Sequence, residues 1–119
     1  MIRVTKFTID ATGVVKDIEN ILTDEDTMLL VHANYAKILD PYVPYDTGYL
    51  SQESVEIEPD GVVYTADYAW SQYYTTTFKH KTEYHPLATA FWDKVAMENH
   101  YDEMMAKILE IFAERYNNG

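Results

Sequence analysis

Residues 2–9 (Ile-Arg-Val-Thr-Lys-Phe-Thr-Ile) alternate apolar with polar positions at a period of two. That pattern predicts a strand, with Ile2 and Val4 on one face and Phe7 and Ile9 shifting to the other. Arg3 and Lys6 discourage further pairing and suit a sheet edge. The period then lengthens. Val14, Val15, Ile18, Ile21 and Leu22 recur at intervals of three and four, which predicts a short amphipathic helix. Thr23-Asp24-Glu25-Asp26 reads as an N-cap and an acidic first turn, favourable at the positive end of a helix dipole. Met28, Leu29, Val31, Tyr35, Ala36, Ile38 and Leu39 carry this second helix to Pro41. The pattern fits equally two separate helices or one bent helix.

Pro44-Tyr45-Asp46-Thr47-Gly48-Tyr49-Leu50 is a corner. Pro44 fixes its own φ and pushes Val43 toward extended geometry, so the helix has to end by this point. Asp46 and Gly48 are turn residues, one able to bond the local backbone and the other tolerant of positive φ. Leu50 to Ile57 and Val62 to Thr65 then flank Glu58-Pro59-Asp60-Gly61, a β-hairpin with a clear turn signal. Asp67 to Tyr74 reads as a short helix and Thr75 to His85 as an exposed polar loop. Pro86 suits a helical first turn. Leu87, Phe91, Val95, Tyr101, Met105, Ile108, Phe112 and Tyr116 mark a long helix with one apolar face, and Asn117-Asn118-Gly119 a frayed end. The expected fold class is α+β: a small antiparallel β-sheet packed against N-terminal helices and a long C-terminal helix. With 119 residues and no repeat or linker, one domain over residues 1–119 is expected.

Three stretches in order carry a resemblance: Tyr42 to Ser54, Gly61 to Tyr74, and His85 to Ile108. The first holds Val43-Pro44-Tyr45-Asp46-Thr47-Gly48-Tyr49-Leu50 with Ser54 four residues on. The second holds Tyr68-Ala69 and Tyr73-Tyr74, the third Phe91, Trp92, Lys94 and Ala96. The series resembles the minor capsid and tail-completion proteins of tailed bacteriophages, the neck proteins that join head to tail, in the versions found in phages and prophages of Gram-positive bacteria. It covers roughly residues 40 to 115. One departure stands out: Thr75-Thr76-Thr77 occupies the place where the family has Gly-Thr, which bears on the geometry of that loop. The resemblance implies a virion structural protein without catalytic activity or cofactor, made in the bacterial host cytoplasm and located in the virion neck. It implies a homo-oligomeric ring whose partners are a head-side connector and a tail-side protein. The motif positions implied as frame or interface residues are Pro44, Tyr45, Asp46, Thr47, Gly48, Tyr49, Leu50, Tyr68, Tyr73, Tyr74 and Trp92.

Charge narrows the partners independently. Nine Lys and Arg against twenty Asp and Glu give a net charge of −11. Binding a nucleic-acid backbone needs cations to replace counterions, so specific DNA or RNA binding is not expected, nor is an anionic membrane surface. There is no cysteine, hence no disulfide and no thiolate chemistry. No N-terminal apolar run resembles a signal peptide, and none approaches the ~20 residues needed to span a bilayer, so a soluble chain without a cleaved leader is expected. Eleven tyrosines, each with a large ring and a polar tip, suit either a small core or surfaces buried on assembly.

Candidate chemistry is sparse. His80, Glu83 and His85 lie close in the loop but match no zinc spacing and lack a fourth ligand, so no metal site is expected. His100 with Glu103, and Glu98 with Asp102, share helix faces and read as solvated surface. Asp46-Thr47-Gly48 also occurs in aspartic proteases, but those need a second aspartate and an apolar strand before the triplet, where this chain has a helix and Pro44. No nucleophile elbow or phosphate-cradling glycine loop is present. Of the adjacent pair Phe91 and Trp92, one ring is expected in the core and the other elsewhere. A second function remains open on charge alone: a small acidic regulatory or inhibitory protein binding a basic protein partner.

Overall fold

The computed structural model of the chain describes residues 2–5, 23–44, 50, 54–75 and 87–116. The elements in order are β1 (Ile2–Thr5), α1 (Glu25–Leu39), a 3-10 turn (Asp40–Tyr42), β2 (Val55–Glu58), β3 (Gly61–Tyr64), α2 (Ala69–Tyr74) and α3 (Trp92–Tyr116). The fold is α+β, as the sequence pattern indicates. The helix expected over 14–22, the centre of the corner and most of the 75–85 loop lie outside the described residues, as do the latter half of the first strand and residues 51–53 of the second.

Helix α1 starts where the sequence places its cap. Asp24 sits in extended geometry and its carboxylate accepts the Thr27 N–H at 3.4 Å, with Glu25 and Asp26 in the first turn. Asp24→Ala is expected to cost about 0.5–1 kcal/mol, the lower part of the range for a lost cap because the bond is long. A shifted urea midpoint at unchanged slope would read that cost. One face of α1 buries Met28, Val31, Tyr35 and Leu39 at helical spacing. His32 is buried among them, and its Nδ1 lies 3.0 Å from the Met28 carbonyl one turn back. Pro41 enters the 3-10 turn near its N-terminus, where a missing N–H costs nothing. The chain leaves at Val43 in extended geometry, φ −78° and ψ 132°, as a residue before proline must.

The sheet runs β1-β3-β2, both pairs antiparallel. Tyr64 pairs with Ile2 on one side and Val55 on the other, and Val62 with Val4 and Ile57. β3 is buried throughout. Pro59 and Asp60 make the turn between β2 and β3.

Helix α3 differs from the expected long helix in two ways. It begins at Trp92, not near Pro86, because Phe91 holds φ 50°. The Phe91 carbonyl accepts the N–H groups of Lys94 and Val95, so the helix grows from a residue that is not itself helical. The buried stripe is accordingly Trp92, Ala96, Met104, Ile108 and Phe112, one position later in the first turns than a stripe through Phe91 and Val95. Leu87 (52% exposed) and Tyr101 lie off that stripe on the surface. Within the helix His100 departs to φ −129°, ψ 15°, and two helical segments meet there at a kink. No Pro or Gly lies in this helix to cause a kink. Instead the imidazole is tied on both sides, Nε2 at 3.0 Å from the Tyr42 hydroxyl and Nδ1 at 3.0 Å from Glu103 Oε2. At the far end Arg115 Nε donates to Thr27 Oγ1 at 2.8 Å. These two ties set α1 and α3 antiparallel.

Candidate assembly surface

The sequence Ala69-Trp70-Ser71-Gln72-Tyr73-Tyr74 makes one short helix with two unlike faces. Positions four apart share a face. Ala69 and Tyr73 are buried, whereas Trp70 and Tyr74 point out.

The inward face is an aromatic and carboxylate cluster. The Tyr73 ring meets Trp92 edge-on with centroids 4.9 Å apart, and Trp92 meets Tyr64 in the same way at 5.1 Å. The Tyr73 hydroxyl donates to Asp93 Oδ1 at 2.5 Å, and the Tyr73 carbonyl accepts the Phe91 N–H at 2.9 Å. Asp93, itself buried, lies in the first turn of α3, where the helix dipole favours a negative charge. Burial pushes the Tyr73 phenol well above its ordinary value, and the hydrogen bond to Asp93 pushes it further. Burial, then the Asp93 charge, does the same to Tyr35. Tyr64 is raised by burial first and then by Asp40. All three are neutral phenols across the ordinary pH range. The indole N–H of Trp92 meets no well-aligned hydrogen-bond acceptor among the described residues.

The outward face is a ledge of rings. Trp70 is 58% exposed and Tyr74 46%, with their centroids 5.0 Å apart. Tyr74 meets Phe91 at 5.7 Å, and the Lys94 ammonium lies 5.3 Å from the Phe91 centroid. Tyr68 is exposed just before the helix. Trp70, Tyr74, Phe91 and Lys94 therefore form one continuous strip. Phe91 and Trp92 divide as expected: Trp92 is in the core, while Phe91 is half-buried between core and ledge.

Of the corner motif, Pro44 and Leu50 are buried, and Tyr45, Asp46, Thr47, Gly48 and Tyr49 lie outside the described residues. Ser54, also buried, ties the corner's exit to the hairpin. Its hydroxyl donates to the Leu50 carbonyl at 2.9 Å, and its own carbonyl accepts both the N–H and the hydroxyl of Thr65. This gives the Ser four residues after Leu50 a mechanical role.

Two features were missed from sequence. Trp70 is not among the motif positions, although its i, i+4 spacing to Tyr74 opposite Ala69 and Tyr73 is a readable signal. The Tyr42–His100 tie joins residues 58 positions apart, and no local pattern announces it. Among the described residues no cluster of His, Asp and Glu is arranged to hold a metal. The trio His80, Glu83 and His85 lies outside them. A groove of about 340 Å³ between α1 and α3 is lined by Asn34, Lys37, Ile38, Glu103, Lys107 and Glu110, with Lys107 and Glu110 already paired at 3.5 Å. No helix among the described residues is long and apolar enough to cross a membrane.

The family model described as minor capsid protein matches residues 5–110, a span that takes in the corner, the hairpin, the ledge and most of α3. No curated protein and no solved structure gives a significant match.

Proposed function

The chain belongs to the minor capsid protein family, structural proteins of the bacteriophage virion, and from that premise we propose that it is a non-enzymatic subunit of the head–tail interface. In this reading it is a single-domain tail-completion or head–tail connector component, assembling as a ring of identical copies in the neck. A head-side connector and a tail-side protein are its neighbours. The family match over residues 5–110 is the observation that carries the reading.

The physical features agree with it. Pro44, Leu50, Tyr73 and Trp92 act as frame, the first two at the ends of the corner and the last two in the core beneath the ledge. Tyr68 and Tyr74 act as contact residues on the surface. Large aromatics left exposed beside a rigid core are the composition of a contact completed by another protein. The net charge of −11 suits a wall that DNA passes without sticking.

Light scattering over a concentration series, with the chain alone and then with the neighbouring neck proteins, tests the reading. A ring-sized species, or incorporation into the neck only with partners present, is the expected result. A strict monomer that ignores every neck component would sink it and leave an acidic protein binding a basic partner as the reading to pursue.

A further inference from the structure

We propose that the ledge of α2 docks on the acidic β2–β3 hairpin of a second copy of this chain, a head-to-tail contact with Lys94 at its rim. The inference rests on the neck-ring reading above and names the surfaces that such a ring would join.

The first support is charge. Between Lys37 and Lys79 the sequence contains no Lys or Arg, while Glu56, Glu58 and Asp60 stand on the hairpin, Glu56 and Asp60 exposed. The ledge is the reverse. From Tyr68 to Phe78 there is no charged residue, and the strip ends on exposed Lys94, which lies beside the Phe91 ring and in no salt bridge with a described residue. Copies carrying −11 each repel one another over most of their surface. A near-neutral aromatic strip with a cation at its rim, set against an acidic hairpin, turns repulsion into attraction at the one place of contact.

The second support is topology. In the order β1-β3-β2, helix α2 lies against β1, whereas the acidic strand β2 is the opposite edge. Ledge and hairpin therefore lie toward opposite edges of the sheet. Two unlike, complementary surfaces toward opposite edges of the sheet suit a heterologous contact, and repetition of such a contact closes a ring when its rotation divides a full turn. A two-fold contact of ledge on ledge would bring Lys94 toward its own copy and away from exposed Glu56 and Asp60.

The third is area. Three aromatic side chains about half exposed leave roughly 300 Å² on the ledge, taking ~150–250 Å² for each whole side chain. A stable interface takes about 800 Å² from each partner. The contact is too small to hold a dimer by itself and suits one link of a closed, templated ring.

The test replaces Trp70 by the photoreactive amino acid p-benzoylphenylalanine in the full chain, assembled into phage particles and irradiated. The expected product joins position 70 to residues 55–61 of another copy. Lys94→Glu should lower the yield about three- to five-fold, the upper range for an exposed ion pair. Adding Glu56→Lys and Asp60→Lys to that chain should restore it. All three sites are exposed, and circular dichroism checks that each variant folds. Cross-links to the ledge of another copy or to a different virion protein, or a charge reversal without rescue, overturn the inference while leaving the neck reading standing. Absence of the chain from purified necks removes both.

Discussion

Trp92→Ala is expected to destabilise the fold by about 3–5 kcal/mol, the range for deleting a buried aromatic and leaving its cavity. The Trp92 side chain is 0% exposed and meets Tyr64 of the central strand and Tyr73 of α2. It therefore joins sheet, α2 and α3 through one ring system. Against a typical total of about 5–15 kcal/mol, such a loss leaves the folded state marginal. Trp70→Ala is the internal control. Trp70 is 58% exposed on the ledge, and its removal should change stability by about 0.5 kcal/mol. Urea unfolding of the two variants side by side reads the difference, and equal costs would contradict this placement of the two tryptophans. The pair also separates two kinds of assembly defect. A failure of Trp92→Ala to enter the virion follows from a lost fold, whereas a failure of folded Trp70→Ala isolates the surface.

The sequence made the cap at Asp24, the end of α1 near Pro41, the extended Val43 and the hairpin legible because each is set within a few residues. Local stereochemistry decides them, and nothing distant competes. Strand ends were less legible, since period-two alternation continues past the last ladder bond. Val55 pairs with Tyr64, but Leu50 belongs to the corner, held by Ser54 and not by a strand. The start of α3 shows the harder kind of miss. Leu87, Phe91, Val95 and Tyr101 make a plausible apolar stripe, yet the helix follows a frame set one residue later. That frame depends on the Phe91 N–H reaching the Tyr73 carbonyl and on a left-handed φ at Phe91, a conformation costly for a bulky side chain. Contacts across the fold select it, so no window along the chain contains the information. The candidate surface was half legible for the same reason. Aromatic richness near Tyr73 and Tyr74 is plain in the sequence. Which ring is sealed against Asp93 and which is left to solvent depends on where α2 sits over α3.

Alkaline pH should unfold this protein through its buried phenols. Tyr35, Tyr64 and Tyr73 are all raised above the ordinary value near 10, chiefly by burial. Below that value the phenols are protonated in both the folded and the unfolded chain and add no pH dependence. Above it the unfolded chain releases protons that the folded chain retains. The folded state then binds more protons, and stability falls as pH rises. Each phenol contributes at most about 1.4 kcal/mol per pH unit, so the three together approach ~4 kcal/mol per unit. A fold worth about 5–15 kcal/mol would be exhausted within roughly one to four units above pH 10. Tyr73→Phe distinguishes this cause from general charge repulsion. At pH 7 it should cost about 1–3 kcal/mol, because buried Asp93 loses the hydroxyl that donates to it. Above pH 10 its stability should fall with about two-thirds of the wild-type slope, since one ionisable phenol of three is gone. Urea midpoints from pH 8 to alkaline unfolding, taken with phenolate absorbance, would show the two curves converging. Parallel curves would mean that the Tyr73 proton is not held by the fold, and that the Tyr73–Asp93 pair is not the buried anchor beneath the ledge.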